Sequence, residues 1–337
     1  MGKVTIRDVA NAASVGLSTV SRVINGNYPV NEKTRATVLK AIEQLDYVPN
    51  GVARSLKMKR TQLIGVIVPD VGNTFFMQLI KGIERRLSQN GYTLMIASSD
   101  ECAEKEKSIV NIFLEKKAEA LIVSTCQVEE SYFQRQRRHD MPIVFVDRSI
   151  PGLDIDMVSE ENELCAQQLT EFLIRNGHRR IGIVNSERNV DTSRRRNEGF
   201  RRAMAARKLP VHPEHVVEVR GYEGCYKAVR ALFEGVPENQ RPTALFATNN
   251  RRAEITLSVL NEMGIHVPDE VSLVAYGDVS ASELLALKVT RIEQDTQRLG
   301  GMAADLAMKR IEKSGAPQSL SITSQLVVGN SHRAILE

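Results

Sequence analysis

Short apolar runs that alternate with helical stretches fill the chain from residue 62 onward and limit the fold it can adopt. Helical periodicity separates the runs, as at residues 78–89, 164–175 and 199–206. Near-continuous apolar strands alternating with helices are typical of parallel sheets covered on both faces. Two sets of strand-length runs predict an α/β core with two similar lobes, each a doubly wound parallel sheet. The runs lie at residues 63–69, 92–98, 120–124 and 143–147, then at 180–184, 216–219, 244–248 and 271–276.

The first 47 residues have a different pattern, that of three short helices. Thr5 is a good helix-capping residue for the first of them. Two short helices joined by a tight turn at residues 14–16 and braced by a third predict a helix-turn-helix domain over residues 1–48. The apolar faces that would form its core are Ile6, Val9, Ala10 and Ala13 in the first helix, Val20, Val23 and Ile24 in the second, and Val38, Leu39, Ile42 and Leu45 in the third, which begins near Asn31.

Positive charge is concentrated in this helical end of the chain. Residues 1–60 contain ten Lys and Arg but four Asp and Glu, a net charge of +6, whereas the whole chain has +4. The remaining residues therefore sum to −2. A localised basic surface is the electrostatic signature of binding to a nucleic acid backbone.

The second helix would present its N-terminal side chains to base edges in the major groove. Leu17 can contact a thymine methyl group, Ser18 is a short donor, and the planar fork of Arg22 suits guanine. Short polar side chains elsewhere suit phosphate oxygens, which fix register without reading sequence. We therefore expect the DNA-binding residues of this domain to be Thr5, Leu17, Ser18, Thr19, Ser21, Arg22, Asn25 and Thr34.

Three motifs carry a resemblance to the LacI/GalR family of bacterial transcription regulators. They are T-I-x-D-V-A from Thr5, T-V-S-R-V-I-N-G from Thr19, and Y-x-P-N-x-V-A-R-S-L from Tyr47. The resemblance spans the whole chain and implies a hinge helix at residues 50–58, in which Leu56 wedges into the minor groove at the operator centre. Its implied DNA contacts are Asn50, Ala53, Leu56 and Lys57. One departure is Gly16, where the family's usual hydroxyl cap and phosphate contact are missing.

The resemblance also implies how the rest of the chain is organised. We expect a hinge helix and linker at residues 49–61 and an effector-binding and dimerisation core at residues 62–337. This core would be periplasmic-binding-protein-like, with the chain crossing between lobes near residues 160, 291 and 324. The N-lobe would comprise residues 62–160 and 292–324, and the C-lobe residues 161–291 and 325–337.

An effector would bind between the lobes, where the carboxyl ends of the strands meet. Aromatic, acidic, amide and guanidinium side chains follow the predicted strands. Arg196 matches the arginine of the family's R-x-x-G-[FW] motif, and Asn249 matches its pocket asparagine. The predicted effector-binding residues are Phe75, Phe76, Asp147, Arg148, Arg196, Tyr222, Asn249, Asp278 and Gln294.

Arginines gather at these strand ends while two family acids are missing. Asn250 and Gly277 stand where the family usually has aspartates, and Arg148, Arg194, Arg195, Arg196, Arg251 and Arg252 lie nearby. Guanidinium forks favour carboxylates and phosphates, so we expect an anionic sugar, either a sugar acid or a sugar phosphate. A neutral sugar, a purine or control by a protein partner remain alternatives. At least half of these arginines, namely Arg194, Arg195 and one of Arg251 and Arg252, are expected to be solvated at helix starts.

The combined pattern predicts a sequence-specific DNA-binding regulator, a repressor, whose operator affinity is switched by the effector. We expect a homodimer on a pseudo-palindromic double-stranded operator, because two-fold symmetry in the protein is mirrored in its site. Coupling of roughly 1–3 kcal/mol would switch operator occupancy. The sequence does not fix whether the effector induces or co-represses.

Other classes of protein are disfavoured. GxGxxG after a strand, a P-loop and GxSxG are all absent, so we do not expect an enzyme. The four cysteines are scattered without ligand spacing, so we expect neither a metal site nor a cofactor. No apolar run is long enough to span a membrane and no signal segment precedes the first helix, which favours a cytoplasmic bacterial protein over a transport-linked binding protein.

Overall fold

The computed structural model describes residues 4–25, 29–47, 60–127, 129–136, 141–187, 189–279 and 286–335. The chain divides into two units, residues 1–61 and residues 62–337. The predicted hinge helix at residues 49–61 lies almost entirely outside the described residues.

The described residues of the first unit form three helices, α1 (Ile6–Ala12), α2 (Leu17–Asn25) and α3 (Glu32–Gln44). Its small core is formed by Val9, Ala10, Ala13, Val20, Val23, Val38 and Ala41. The apolar stripe predicted for α3 is wrong at Leu39, which is 49% exposed, because Ala41 takes the inward position on that helix. Small Val and Ala side chains therefore fill this core. Helix α2 is amphipathic, and its polar residues lie on the face directed away from the core.

The N-lobe of the second unit is built on a six-stranded sheet in which every described pairing is parallel. The strand order is β11-β5-β4-β3-β1-β2. Consecutive Val, Ile and Leu residues in β1, β3 and β4 are buried because helices cover both faces. The strands are β1 (Leu63–Val68), β2 (Thr93–Ser98), β3 (Ala120–Val123), β4 (Ile143–Val146), β5 (Asp156–Glu160) and β11 (Ser319–Ile322).

Four helices cover this sheet: α4 (Thr74–Ser88), α5 (Ala103–Glu115), α6 (Glu130–Gln136) and α11 (Thr296–Ile311). Helices α4 and α11 approach closely at two glycines. A Cβ atom on Gly300 would lie 2.2 Å from the backbone oxygen of Leu79, and one on Gly82 would lie 2.3 Å from the backbone oxygen of Gln297. Glycine is needed at both positions because the two backbones leave no room for a side chain.

The C-lobe repeats the architecture with the strand order β12-β10-β9-β8-β6-β7. Its described pairings are parallel except for the antiparallel β10–β12 pair. The strands are β6 (Ile181–Asn185), β7 (Val216–Glu218), β8 (Ala244–Ala247), β9 (Ser272–Tyr276), β10 (Thr290–Glu293) and β12 (Gln325–Val327). The helices are α7 (Asn162–Arg175), α8 (Asp191–Ala206), α9 (Gly221–Ala231) and α10 (Asn250–Glu262), with short 3₁₀ turns at Pro213–His215 and Glu238–Gln240.

The chain passes between the two lobes three times. The first crossing follows β5 at residue 161, and the third joins β11 to β12 at residues 323–324. The second follows β10, which ends at Glu293, so it lies a few residues beyond the position near 291 that the sequence predicts. Within the described residues, no helix has both the length and the apolar character that a membrane span requires.

Candidate functional site

Helix α2 exposes the residues that the sequence predicts to read bases. Leu17, Ser18 and Arg22 are exposed, while Val20 and Val23 are buried against the other two helices. Gly16 caps the helix through its backbone, because its carbonyl oxygen accepts from the amides of Thr19 and Val20 at 2.9 and 3.2 Å. The polar side chains therefore remain on the outer face, as a helix that enters a groove requires.

Thr5 makes its hydrogen bonds at the N-terminus of α1. Its amide and hydroxyl donate to Asp8 Oδ2 at 2.8 and 2.7 Å, and these hydrogen bonds hold the pKa of Asp8 below its usual range. The arrangement fixes the start of α1, so the structure assigns Thr5 a capping role.

The other predicted DNA-binding residues divide into two groups. Thr19, Ser21 and Thr34 are partly exposed in the first unit. The side chain of Asn25 and the predicted hinge residues lie outside what the structure describes; the latter are Asn50, Ala53, Leu56 and Lys57.

A cavity of about 330 Å³ lies between the lobes of the second unit. This is within the range of pockets for small molecules. Its lining residues lie just beyond the carboxyl ends of three C-lobe and four N-lobe strands, as expected for a doubly wound sheet. The N-lobe supplies Asp70, Asn73, Phe76, Glu101, Thr125, Cys126, Gln127, Arg148 and Ser149, and the C-lobe supplies Ser186, Glu187, Asn189, Val190, Asp191, Val219, Arg220, Gly221, Tyr222, Asn249, Arg251, Arg252 and Ile255.

Four of the nine predicted effector residues line this cavity, namely Phe76, Arg148, Tyr222 and Asn249. The rings of Phe75 and Phe76 meet edge-on with centroids 5.0 Å apart, but Phe75 packs against the N-lobe core. Asp278 lies 3.4 Å from Arg291 at the surface. Gln294 donates to Glu160 and lies where a side chain on Gly277 would have to go. Asp147 and Arg196 are buried beside the cavity.

Arg196 is the clearest departure from the sequence prediction. It is 5% exposed, and its guanidinium donates to Asn162 Oδ1 and to the backbone oxygen of Thr248, both at 2.7 Å. Its charge also lies 3.6 Å from the ring centre of Tyr276, within the range of a cation–π contact. These bonds occupy the guanidinium behind the strand ends, so Arg196 supports the wall of the cavity.

The positive charge predicted for the cavity is balanced by carboxylates. Arg148 makes two hydrogen bonds to Glu101, at 2.8 and 2.9 Å. Burial by itself raises the pKa of Glu101, but hydrogen bonding and attraction from Arg148 bring that pKa below its usual value. The charged lining residues are the four acids Asp70, Glu101, Glu187 and Asp191 and the four bases Arg148, Arg220, Arg251 and Arg252. The charges of these lining residues therefore balance in number.

The remaining arginines of the predicted cluster also have partners. Arg194 and Arg195 both bond to Asp191, at 2.8 and 2.9 Å. Arg252 is buried and donates to the backbone oxygens of Val219 and Gly221. Arg251 lies 3.5 Å from Glu254 with 58% of its side chain exposed. Of the pair from which one solvated arginine is expected, Arg251 is the exposed residue and Arg252 is the buried one.

Side chains from the two lobes meet across the cavity. The Ser149 hydroxyl donates to Asp191 Oδ2 at 3.0 Å, and Asn250 Nδ2 donates to Asn73 Oδ1 at 2.8 Å. The Asn73 oxygen also caps α4 by accepting from the amide of Phe75. Asn250 suits this contact because an amide can donate to that oxygen, which a charged aspartate cannot do.

Several lining residues were not predicted from the sequence. Glu101, Gln127 and Arg220 each come shortly after a strand, at the carboxyl end that faces the cavity. Applying the strand-end rule to every strand would have found them. Cys126 also lines the cavity, and burial together with the nearby Glu106 carboxylate raises the pKa of its thiol to about 12. This thiol is therefore protonated at neutral pH.

The residues that the structure describes include no candidate metal-binding site. Among those residues, no three His, Cys, Asp or Glu side chains are grouped so that they could hold a metal ion. The four cysteines are free thiols, and Cys165 and Cys225 are buried.

The geometry can be compared with known proteins. The HTH-type transcriptional repressor PurR of Vibrio parahaemolyticus serotype O3:K6 is 33% identical over 329 residues, which cover 97% of this chain and 98% of that protein. The solved structure of a transcriptional regulator CelR–cellobiose complex is 26% identical with a TM-score of 0.73, covering 98% of this chain and 100% of that one. The Lac repressor bound to ONPG, 24% identical, shares the fold with a TM-score of 0.86 over 98% of this chain and 100% of that one.

Two family models account for most of the sequence. The model for bacterial regulatory proteins of the lacI family matches residues 5–50. The model for periplasmic binding proteins and the sugar-binding domain of the LacI family matches residues 61–330. The helical first unit and the two-lobed second unit correspond to these two parts. The chain belongs to the lacI family of bacterial regulatory proteins.

Proposed function

We propose that the protein is a transcriptional repressor that binds a double-stranded operator as a homodimer in the cytoplasm. Helix α2 supports this proposal because it presents Leu17, Ser18 and Arg22 outward from a small helical unit with net positive charge. The relative from Vibrio parahaemolyticus is likewise named a repressor. The dimer would place two such helices in successive major grooves of a pseudo-palindromic site.

The cavity supports an effector without net charge. Its four carboxylates and four guanidiniums balance, and both Nη atoms of Arg148 already donate to Glu101. An added anion would have to displace Glu101 or bring its own charge near four carboxylates, at a cost in desolvation. This charge balance is the observation that carries the proposal, and it replaces the sugar acid or sugar phosphate expected from the sequence.

A purine base fits these features best. The ring of Tyr222 is 59% exposed at the cavity, so a flat heterocycle has aromatic surface to contact. The Asn249 amide nitrogen donates to Ser186 and keeps a second N–H that can donate to a ring nitrogen at the edge of a purine. The PurR name of the relatives points to the same chemistry.

The test is thermal unfolding and calorimetry of the full chain with hypoxanthine, adenine, ribose, glucose and gluconate. A compound at about 100 times its Kd stabilises the folded state by roughly 2.7 kcal/mol, which a thermal scan resolves. We expect a purine to raise the unfolding temperature. A rise with gluconate alone would refute the charge argument, and a rise with neutral sugars alone would replace the purine by a sugar.

Two tyrosines on α9 provide a matched control. Tyr222 lines the cavity, whereas Tyr226 stacks beside it with ring centroids 6.2 Å apart and bonds Glu262 outside the cavity. Tyr222→Ala should weaken purine binding by roughly 3- to 10-fold through lost aromatic contact. Tyr226→Ala should leave it unchanged, and equal effects would place the compound elsewhere.

A further inference from the structure

One buried carboxylate contacts all three crossings between the lobes. Glu160, the last residue of β5, precedes the first crossing. Its Oε2 accepts a hydrogen bond from Gln294 at the second crossing, and its Oε1 accepts one from Ser324 at the third. These residues are 134 and 164 positions away in sequence. A single side chain therefore joins segments that the sequence keeps far apart.

The carboxylate is fully enclosed, since Glu160 is 2% exposed. A buried charge is tolerated when hydrogen bonds and opposite charge satisfy it. Burial raises the pKa of Glu160, while the charge of Arg196 and the hydrogen bonds from Ser324 and Gln294 oppose that shift. Replacing one carboxylate oxygen by an amide NH2 group would therefore leave one of the two donors, which belong to different crossings, facing another donor.

A second set of bonds connects this carboxylate to the wall of the cavity. The Asn162 amide donates to the backbone oxygen of Glu160 at 3.1 Å, and Asn162 Oδ1 accepts from Arg196 at 2.7 Å. Arg196 in turn donates to the backbone oxygen of Thr248, the residue before Asn249. The crossings and the cavity thus share a continuous polar path, made of side chains buried in both lobes.

We propose that Glu160 is the positioning residue of the hinge, which holds the three crossings together so that the lobes rotate as rigid bodies about one axis. Lobe rotation changes backbone torsions at residues 161, 294–295 and 323–324, and atoms near the axis move least. The bonds from Glu160 lie among these segments, so they can persist while the cavity opens and closes. The inference deepens the proposed function, since it concerns lobe movement at the effector cavity, but it does not depend on which effector binds.

Amide hydrogen exchange on the full chain tests this proposal without any effector. In Glu160→Gln, peptides covering all three crossings should exchange faster by a common factor, on the order of tenfold, because they open as one unit. Peptides from the strand centres, β3 and β8, should keep their protection. This pattern separates a loosened hinge from a globally weakened fold.

The neighbouring residue is a matched control. Glu161 accepts a hydrogen bond from Thr323 at 2.6 Å, so it links the first and third crossings and not the second. Glu161→Gln should leave residues 294–296 at the parent rate. Glu160→Gln changes confined to the first crossing would overturn the proposal, and so would faster exchange throughout both sheets.

A milder variant keeps the test decisive if Glu160→Gln folds poorly. Ser324→Ala removes one of the two donors and leaves the carboxylate in place. We expect amide hydrogen exchange to become faster at all three crossings by the same factor, which should be smaller than in Glu160→Gln. Acceleration at residues 323–325 alone would show that the crossings move independently and would overturn the proposal.

Discussion

Asp147, a buried aspartate beside the cavity, has an ionisable side chain in a buried environment and a left-handed backbone conformation. Asp147 is 6% exposed and has a left-handed φ of 66°. Burial raises its pKa to about 6, although Arg148 and Arg196 oppose the shift. The carboxyl group therefore binds a proton more tightly in the folded chain than in the unfolded chain. Its ionisation destabilises the fold as pH rises from about 4 to above 6.

Asp147→Asn should therefore stabilise the protein at pH 7.5. The variant removes the ionisation, and asparagine tolerates the left-handed backbone. The gain follows from a pKa raised from 3.8 to about 6 and amounts to about 1–3 kcal/mol. It should shrink as pH falls from 7 towards 4.5, which urea unfolding across that range would measure.

Asp100 provides the control for this prediction. It has a similar φ of 52° but is exposed, and hydrogen bonding from Lys105 lowers its pKa. Asp100→Asn should give no gain at pH 7.5. A pH-independent gain in Asp147→Asn would show that the backbone, and not the charge, is responsible.

For individual residues, the sequence predicts the position along the chain but not the contacts of the side chain. The sequence places Arg148 and Asn249 just beyond predicted strands, and the structure has both there, whereas Arg196 lies in the second turn of α8. The spacing of residues in the sequence does not encode where a side chain points or which groups it bonds. Arg196, for example, bonds Asn162 and Thr248, which are far away in sequence. Likewise, Arg148 follows β4 and Glu101 follows β2, two strands that are not adjacent in the sheet, so their pairing depends on tertiary structure and could not be predicted from spacing.

Helix α2 is the element whose surface defines specificity in the proposed function. Arg22 is exposed on this helix, and its planar fork suits a guanine edge. Arg22→Ala should weaken operator binding by roughly 1–3 kcal/mol, while binding to an unrelated duplex falls much less. Fluorescence anisotropy with both duplexes measures the ratio. An equal loss on the two duplexes would mean that Arg22 contacts phosphate only.

Elements with a strong local pattern were predicted well. All eight apolar runs became strands, with ends that differ by one residue at most. Four strands were missed: β5, β10, β11 and β12. They are short and mix polar with apolar residues, as in Ser319–Ile322. Their pairing partners come from distant parts of the chain, so tertiary contacts and not local pattern make them strands.

The two units of the molecule have net charges of opposite sign. Residues 1–60 have a net charge of +6, whereas the rest sums to −2. Binding to DNA releases counterions in proportion to the phosphates contacted. Raising monovalent salt from about 50 to 200 mM should therefore weaken operator binding by at least about a hundredfold. A shallow salt dependence in a titration series would contradict the proposed DNA surface.

Both sheets receive their outer strands from the last part of the chain. β11 and β12 occupy residues 319–327, and they complete the N-lobe and the C-lobe respectively. A nascent chain on the ribosome therefore holds two unfinished sheets until residues 319–327 emerge. Synthesis that stops before residue 319 would leave both lobes incomplete at once. The two lobes consequently finish folding almost together, despite the early synthesis of β1 to β5.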